Sequence, residues 1–436
     1  MFKLPKLSKQ ERAWVLYDVA NSAFILTVIT VLFPILYKMI FMDIEGVGLV
    51  AETQAYDDMW TRGSVIFKYL TSAIALIVAI FSPIMGAWSN YAGNKMKFFK
   101  LFLFMGILGG IGIAIPGLGW ITLLVLFTIS SIGYNLTNVL YDAFLVDVTD
   151  EDRYDEVSAT GYAWGYIGSL VPFFIGIIPY ALVTFGILDE SMSQLSISFA
   201  FIIALAWWFY YSLPLIRDVK QIYSIEQSEN SFMKSLKRLR KTFKDIRSYK
   251  MIFLFLIAYL LFIDVVNTVI RLATNIGGDL GVGDATMLAV IVMVQLIAFP
   301  SALIYSRMVK KFGGKSMLFY GIFVYAIAVY IVFLITEDTT YLMWVVGAIV
   351  GTAQGGIQSL ARSFFAKMVP TEKANDFFGF YSVFGRFGGI LSPFIIASFQ
   401  VSLGINKSVL LLLIPLGIAT IILAFVKEGR VELVEE

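Results

Sequence analysis

The chain has 436 residues, of which 59% are hydrophobic and 15% charged, with a formal net charge of +2 and a mean hydropathy of +0.82. Soluble domains are about 45–50% apolar and about 25% charged, so this composition is typical of a membrane protein. Cysteine and histidine are both absent, which excludes disulfides, thiol catalysis and cysteine-ligated metal sites. We expect neither a metal site nor a cofactor.

Twelve apolar runs follow the polar N-terminus MFKLPKLSKQER, and each is long enough to cross about 30 Å of hydrocarbon. The first run is predicted to be a retained span rather than a signal peptide, because no small-residue cleavage site follows it. The predicted spans lie near 13–37, 64–88, 98–116, 120–146, 157–180, 194–213, 251–276, 285–306, 316–335, 340–366, 377–400 and 408–426.

The loops alternate in charge along the chain. Lys and Arg precede span 1, follow spans 2 and 8, and fill the connection between spans 6 and 7, whereas acids dominate the alternate loops. Basic loops stay on the cytoplasmic side. We therefore predict cytoplasmic termini in a bacterial cytoplasmic membrane. The acidic stretch 147–156 is an exception, and its side is assigned by parity.

The connection 214–250 carries ten Lys and Arg residues and divides the chain into six spans and six. It predicts an N-terminal bundle over 1–213, a cytoplasmic linker over 214–250, a C-terminal bundle over 251–426 and a tail over 427–436. Five apolar residues of the linker recur at helical spacing, which favours a basic amphipathic helix on the inner leaflet over a solvated linker. They are Phe232, Leu236, Leu239, Phe243 and Ile246.

Several features of the first half recur in the second. Span 5 has two glycines three residues apart, as span 11 does, and the Asp-x-x-Asn motif of span 1 returns in span 7. Asp142 and Arg362 each lie 23 residues before the first of those glycines. Two six-span halves related in this way predict the repeat architecture of a secondary transporter. The repeated residues are Gly165 and Gly168 with Gly385 and Gly388, and Asp18 and Asn21 with Asp264 and Asn267.

Spans 1, 4, 7 and 10 carry polar residues at spacings of 3, 4 and 7, which place each set on one helix face. Charge in hydrocarbon is costly, so we predict that these faces line a central pathway for substrate and ions. The pathway residues are Asp18, Asn21, Ser22, Asn135, Asn138, Asp142, Asp264, Asn267, Arg271, Gln354, Gln358 and Arg362, with Arg386 added from span 11.

Other interpretations of these residues stay open. Asp142 and Arg362 are equally suited to a structural or gating pair between the halves, and Asp264 and Arg271 lie close enough on one helix to neutralise each other. The amides are also suited to holding neighbouring helices together.

The polar residues suggest a small polar substrate. An arginine, whether Arg271, Arg362 or Arg386, is suited to binding a carboxylate through two hydrogen bonds. Without histidine, a coupling proton must be carried by a carboxylate that burial brings toward neutral pH. We expect Asp18 in that role, because its helix has no basic residue within two turns toward the core, and Asp264 as second choice. If sodium drives transport instead, the cluster around Asp18 would supply its oxygen ligands.

The loop between spans 2 and 3 resembles the gating-loop signature of the major facilitator superfamily. It reads Gly86-Ala-Trp-Ser-Asn90-Tyr-Ala-Gly93-Asn94-Lys95. Asn90 stands where the signature has an acid and Asn94 where it has a basic residue, so this copy departs from the pattern that bridges helices in one conformation.

Further stretches resemble the vacuole-effluxer branch of that superfamily: Trp14 to Phe24, Tyr141 to Leu145, Gln354 to Ser363 and Phe377 to Tyr381. The resemblance implies an all-α membrane protein with twelve transmembrane helices in two pseudo-symmetric six-helix bundles. It also implies a monomeric secondary active transporter that works by alternating access, with amino-acid efflux as the expected activity.

Two other classes of function are alternatives to a secondary active transporter. A lipid or lysolipid flippase of the same fold is favoured by the basic linker and the many aromatic residues, and opposed by the dense polar faces. An enzyme is disfavoured because G-x-x-x-x-G-K-[ST] is absent, which leaves no seat for ATP, and no nucleic-acid partner is expected.

Overall fold

The computed structural model describes residues 6–51, 53–89, 91–150, 153–222, 249–369 and 374–427, and the regular elements of these ranges are helices. Helices α1–α8 are called the N half. They are α1 Lys9–Phe24, continued by a π-helical segment Ile25–Leu32, then α2 Phe33–Glu45, α3 Gln54–Ser89, α4 Asn94–Ile113, α5 Trp120–Ala143, α6 Leu145–Val148, α7 Tyr154–Thr184 and α8 Ser193–Asp218.

Helices α9–α16 are called the C half. They are α9 Lys250–Arg271, α10 Ala273–Asp279, α11 Asp284–Phe312, α12 Gly314–Phe333, α13 Leu342–Met368, α14 Ala374–Phe387, α15 Leu391–Leu410 and α16 Leu413–Phe425. The amphipathic helix predicted over 232–246 and the tail beyond residue 427 lie outside the described residues. The division at 213, 250 and 426 remains a prediction, and α8 itself continues to Asp218.

Ten segments of the described chain are long and apolar enough to cross a membrane, which agrees with a multi-pass membrane protein. Two differences separate them from the twelve predicted spans. Helix α13 has 27 residues, but its polar face, which includes Gln354 and Gln358, lowers its hydropathy. Residues 391–425 form one apolar segment, in which Gly404 has a φ of +78° and turns the chain between predicted spans 11 and 12.

Packing follows the predicted repeat. In the N half, α1 packs against α7 and α8, and α4 against α5; in the C half, α11 and α12 pack against α13, and α9 against α16. The halves meet where α7 contacts α11 and where α3 contacts α14 and α15. A cavity is left between the two seams. The end of the bundle at which α1 begins is called the near end, and the opposite end the far end.

Span 1 is a helix in two parts. A capping box formed by Ser8 and Glu11 starts α1. The helix widens to π geometry over Ile25–Leu32 and tightens again at α2, whose second residue is Pro34. Proline has no N–H to offer to the carbonyl one turn back, and the hydroxyl of Thr274 from the C half donates to that carbonyl, on Thr30.

One acid of the acidic stretch between spans 4 and 5 is paired within the N half. Lys95 Nζ lies 2.7 Å from Asp147 Oδ2, and both side chains are buried. Arg153 of the same stretch lies 2.8 Å from Glu11 of α1. Part of this acidic charge is therefore paired at the near end, which helps explain why the stretch departs from the alternation of loop charges.

Candidate transport cavity

A cavity of about 330 Å³ lies between the halves, near the low end of the roughly 300–1,000 Å³ of small-molecule sites. Polar residues from α1, α5, α9 and α13 line it, so the structure brings together most of the side chains predicted from spacing. These are Asp18, Asn21, Ser22, Asn135, Asn138, Asp142, Asn267, Arg271, Gln354, Gln358 and Arg362. The side chain of Arg386 lies outside the described part of the chain.

The polar faces of α1 and α5 are tied to each other. Asn138 Oδ1 accepts hydrogen bonds from Asn21 Nδ2 at 3.1 Å and from the Tyr17 hydroxyl at 3.3 Å. Asn135 donates to the carbonyl of Ser131 at 2.7 Å and accepts from Arg271 Nη2, which reaches across from the C half, at 3.3 Å. The cavity wall on the N half is therefore held in a fixed arrangement of amides.

Asp18 lies at the near end of this wall and is only 8% exposed. A Cβ atom at Gly161 would lie 2.7 Å from Asp18 Oδ2, so that glycine makes room for the carboxylate. The charged neighbours of Asp18 are Asp142 and Arg362. The sequence shows only the basic residues on the helix of Asp18 itself, so it did not reveal the arginine that the C half supplies.

Asp142 and Arg362 meet across the halves. Arg362 Nη2 lies 3.3 Å from Asp142 Oδ1, with side-chain exposures of 20% and 29%. The other guanidinium nitrogen of Arg362, Nη1, donates to the Ser158 hydroxyl at 2.9 Å. This contact, called the near-end pair, joins α5 and α7 to α13.

Asp264 has a different environment from Asp18, although each is the first residue of an Asp-x-x-Asn motif. Its carboxylate accepts backbone N–H bonds from Gly389 at 2.5 Å, Leu391 at 3.0 Å and Ser392 at 2.7 Å, and one from the Ser392 hydroxyl. It therefore satisfies donors at the start of α15, where an acid also suits the helix dipole. Gly389, with a φ of +114°, makes the preceding turn.

Comparisons with known proteins decide the family. The profile of the family described as "Vacuole effluxer Atg22 like" matches residues 146–433. The MFS-type transporter YxiO of Bacillus subtilis is 41% identical over 98% of this chain and 96% of its own. This chain belongs to the Atg22-like vacuole-effluxer family.

More distant matches agree with that assignment. Autophagy-related protein 22 of Kluyveromyces lactis is 21% identical to this Atg22-like chain, over 90% of it and 88% of the yeast protein. The solved structure of the human organic anion transporter MFSD10 superposes with a TM-score of 0.64 at 13% identity, covering 95% of this chain and 99% of that one. The predicted major facilitator fold and family are both confirmed.

The gating-loop residues of this Atg22-like chain lie at the near end. Gly93 has a φ of +77° and precedes α4, and Lys95 donates to Asp147 and to the carbonyl of Ala143, both in the N half. A Cβ atom at Gly86 would meet open space, and Asn90 lies outside the described residues. The gating role of this loop remains a prediction.

Aromatic residues border the near side of the cavity. Trp14, Tyr141 and Tyr381 line the cavity, and Trp14 stacks on Tyr141 with ring centroids 4.4 Å apart. Tyr17 is fully buried behind them, whereas Trp164 is 41% exposed. Aromatic rings therefore frame the carboxylate of Asp18 on the near side of the cavity.

Sequence reasoning missed a buried charged group at the far end of this Atg22-like chain, here called the far-end cluster. Asp279 of α10 lies 2.5 Å from Lys68 Nζ and 3.5 Å from Lys38 Nζ, and all three side chains are at most 6% exposed. Ser64 donates to the same carboxylate, as Gln400 does at 3.0 Å. A signal was present, because Lys68 falls inside predicted span 2 and an intramembrane ionisable residue is a functional candidate by default.

Proposed function

We propose that this protein is a secondary active transporter that moves an amino acid across the membrane by alternating access, driven by a proton gradient. One observation carries the proposal: the cavity between the halves is lined by carboxylates and guanidinium groups together. A zwitterionic solute needs both signs of charge, and arginine binds a carboxylate through two parallel hydrogen bonds.

The pathway residues divide by charge in this proposal. Arg271 and Arg362, and Arg386 as a further candidate, hold the carboxylate of the substrate. Asp142 contacts the ammonium group, and Asp18 carries the coupling proton. The amides of α1, α5 and α13 supply the remaining hydrogen bonds.

The arrangement of the two ends supports alternating access. At the far end, the Thr274–Thr30 contact and the far-end cluster join the halves. Nearer the middle of α3, Ser72 donates to the carbonyl of Ile390 at 3.0 Å. Asp142 and Arg362, at the near end, remain partly exposed. These contacts support a state closed at the far end, which rocking of the halves would open.

We propose that the near end lies in the cytoplasm and the far end outside, and loop charge supports this orientation. The membrane would be a bacterial cytoplasmic membrane, and the protein would act as a monomer. A reporter enzyme fused after residue 230 should be active in the cytoplasm. A reporter that is active outside would overturn the orientation without affecting the cavity.

Counterflow in proteoliposomes tests the activity itself. Vesicles preloaded with one unlabelled amino acid should accumulate the labelled form transiently, and a proton gradient should drive net accumulation. Transport of lysolipid with no amino-acid counterflow would support the flippase instead. Accumulation that follows a sodium gradient would overturn proton coupling and leave transport standing.

A further inference from the structure

The far-end cluster holds more positive than negative groups. Two lysine ammonium groups approach one carboxylate, and Lys38 also lies 4.2 Å from the ring centroid of Trp60. Buried charges are stable only when paired and hydrogen-bonded. Without its carboxylate, this part of the protein would therefore be a strongly favourable place for an anion.

The donors to Asp279 are divided unevenly between the halves. Oδ1 faces the Ser64 hydroxyl and Lys38, and Oδ2 faces Lys68, all from α2 and α3 of the N half. The C half supplies the carboxylate itself and Gln400. If the halves separate at the far end, Asp279 leaves with the C half and the three donors stay behind.

Two of the N-half donors, Lys38 and Ser64, are held together without the carboxylate, whereas Lys68 also donates to Gln400 Oε1 of the C half at 2.7 Å. Lys38 Nζ donates to Ser64 Oγ at 2.6 Å and to the carbonyl of Trp60 at 2.7 Å, and α2 packs against α3. The arrangement suits a carboxylate in particular, because separate donors contact its two oxygens. A spherical ion would leave one set of donors unfilled.

We propose that Lys38, Ser64 and Lys68 form a carboxylate-binding site, which Asp279 occupies as an attached ligand while the far end is closed. When that end opens, the carboxylate of a solute takes the place of Asp279, so the site selects carboxylates at the far-end opening. The identity of that solute rests on the proposed function, whereas carboxylate binding by the site does not.

The test is binding of a free carboxylate to purified full-length Asp279→Ala, followed by thermal unfolding in detergent. Sodium acetate should raise its melting temperature saturably by about 2–4 °C, because the ligand binds the folded state. Acetamide of the same shape and sodium chloride at the same ionic strength should not. Wild-type protein, whose far-end site is filled by Asp279, should show a clearly smaller shift, from the cavity arginines alone.

Two further variants make the result specific. Asp284→Ala removes another far-end carboxylate that joins the halves, through a 3.0 Å bond to the Tyr180 hydroxyl, and its response to acetate should be no larger than that of wild type. Asp279→Ala with Lys68→Gln should lose most of the response. Equal stabilisation by chloride, or an equal response in Asp284→Ala, would overturn the proposal.

Folding of the variant is itself informative. If Asp279→Ala is recovered folded only when it is purified in acetate, the site is supported, because the free anion has replaced the missing one. Failure to recover Asp279→Ala or Asp279→Ser even in acetate would count against it. If vesicles with wild-type protein show no amino-acid counterflow, the proposed function is overturned, but the acetate result still stands.

Discussion

The charged contacts that join the two halves are built differently at the two ends of the cavity. Among the residues that the structure describes, the near-end contact is the pair of Arg362 and Asp142, 20% and 29% exposed and set beside the cavity. The far-end cluster packs two lysines and an aspartate whose side chains are 0–6% exposed, and Ser64 and Gln400 donate further hydrogen bonds to the carboxylate. Partly hydrated pairs are worth little, whereas breaking a buried pair strands a charge. The near end should therefore separate more easily than the far end.

The largest expected effect is that of Asp279→Ala on stability. It leaves two buried ammonium groups without their carboxylate, so the free energy of unfolding should fall by about 3–5 kcal/mol. Chemical unfolding in detergent measures this. Asp284→Ala is the control, because its partner is a neutral tyrosine. A loss no larger than that of the control would remove the difference between the ends.

The same cluster predicts a dependence on pH. Burial alone would raise the pKa of Asp279, but the charges of Lys68 and Lys38 outweigh it and hold that pKa below its ordinary value. The stability that Asp279 provides should be fully present above the usual carboxyl pKa of about 3.9, and be lost as pH falls through the lowered value. Melting curves of wild type and Asp279→Asn should converge there; a constant gap would contradict this.

A smaller effect is expected at the near-end pair. Asp142→Asn and Arg362→Gln should each lower the free energy of unfolding by about 1–3 kcal/mol, between the values of exposed and buried pairs. Each strands the other charge, so the double variant should be milder than the sum of the two. Strict additivity in this cycle would show that the two residues act independently.

A similar or smaller loss is expected for Asp264→Asn. The amide turns an N–H group toward backbone N–H donors at the start of α15, which should cost about 1–3 kcal/mol. Proton-driven accumulation, measured in vesicles at matched protein content, should persist. If accumulation disappears while exchange survives, the second-choice coupling role of Asp264 would replace that of Asp18.

The smallest expected effect on stability, about 1 kcal/mol or less, is that of Asp18→Asn, which keeps the shape of the side chain. Its effect on transport should be the most specific. Net accumulation driven by a proton gradient should vanish, while exchange at equal concentrations continues. Accumulation with an unchanged pH profile would show that Asp18 is not the coupling residue.

Periodicity explains how much of this site was predictable. Spacings of 3, 4 and 7 fix which face of a helix a residue occupies, so Asp18, Asn138 and Gln354 could be placed on a common cavity from the sequence. The repeat of the two halves also predicted that Asp142 and Arg362 lie opposite each other. Membrane crossing and family followed from hydropathy and from the motifs of spans 1 and 10.

The rest depended on contacts that spacing does not encode. Lys68 and Asp279 are 211 residues apart, and their contact requires the relative height of α3 and α10. Asp264 repeats the motif of Asp18, yet it satisfies the start of α15 because span 11 is interrupted around Gly389. Similar sequence in the two halves therefore did not mean similar environment.

The two-part construction of span 1 has a mechanical consequence. Asp18 lies on the near-end part, Lys9–Phe24, and Lys38 lies on the far-end part, Phe33–Glu45. A π-helical segment followed by Pro34 joins the two parts. Helices bend most readily at such joints. The far-end part of span 1, which packs against α3, can therefore tilt together with α3 and carry Lys38, Ser64 and Lys68 away from Asp279 while the near-end part holds Asp18 in place, so that one continuous span serves the gate and the cavity as separately movable parts.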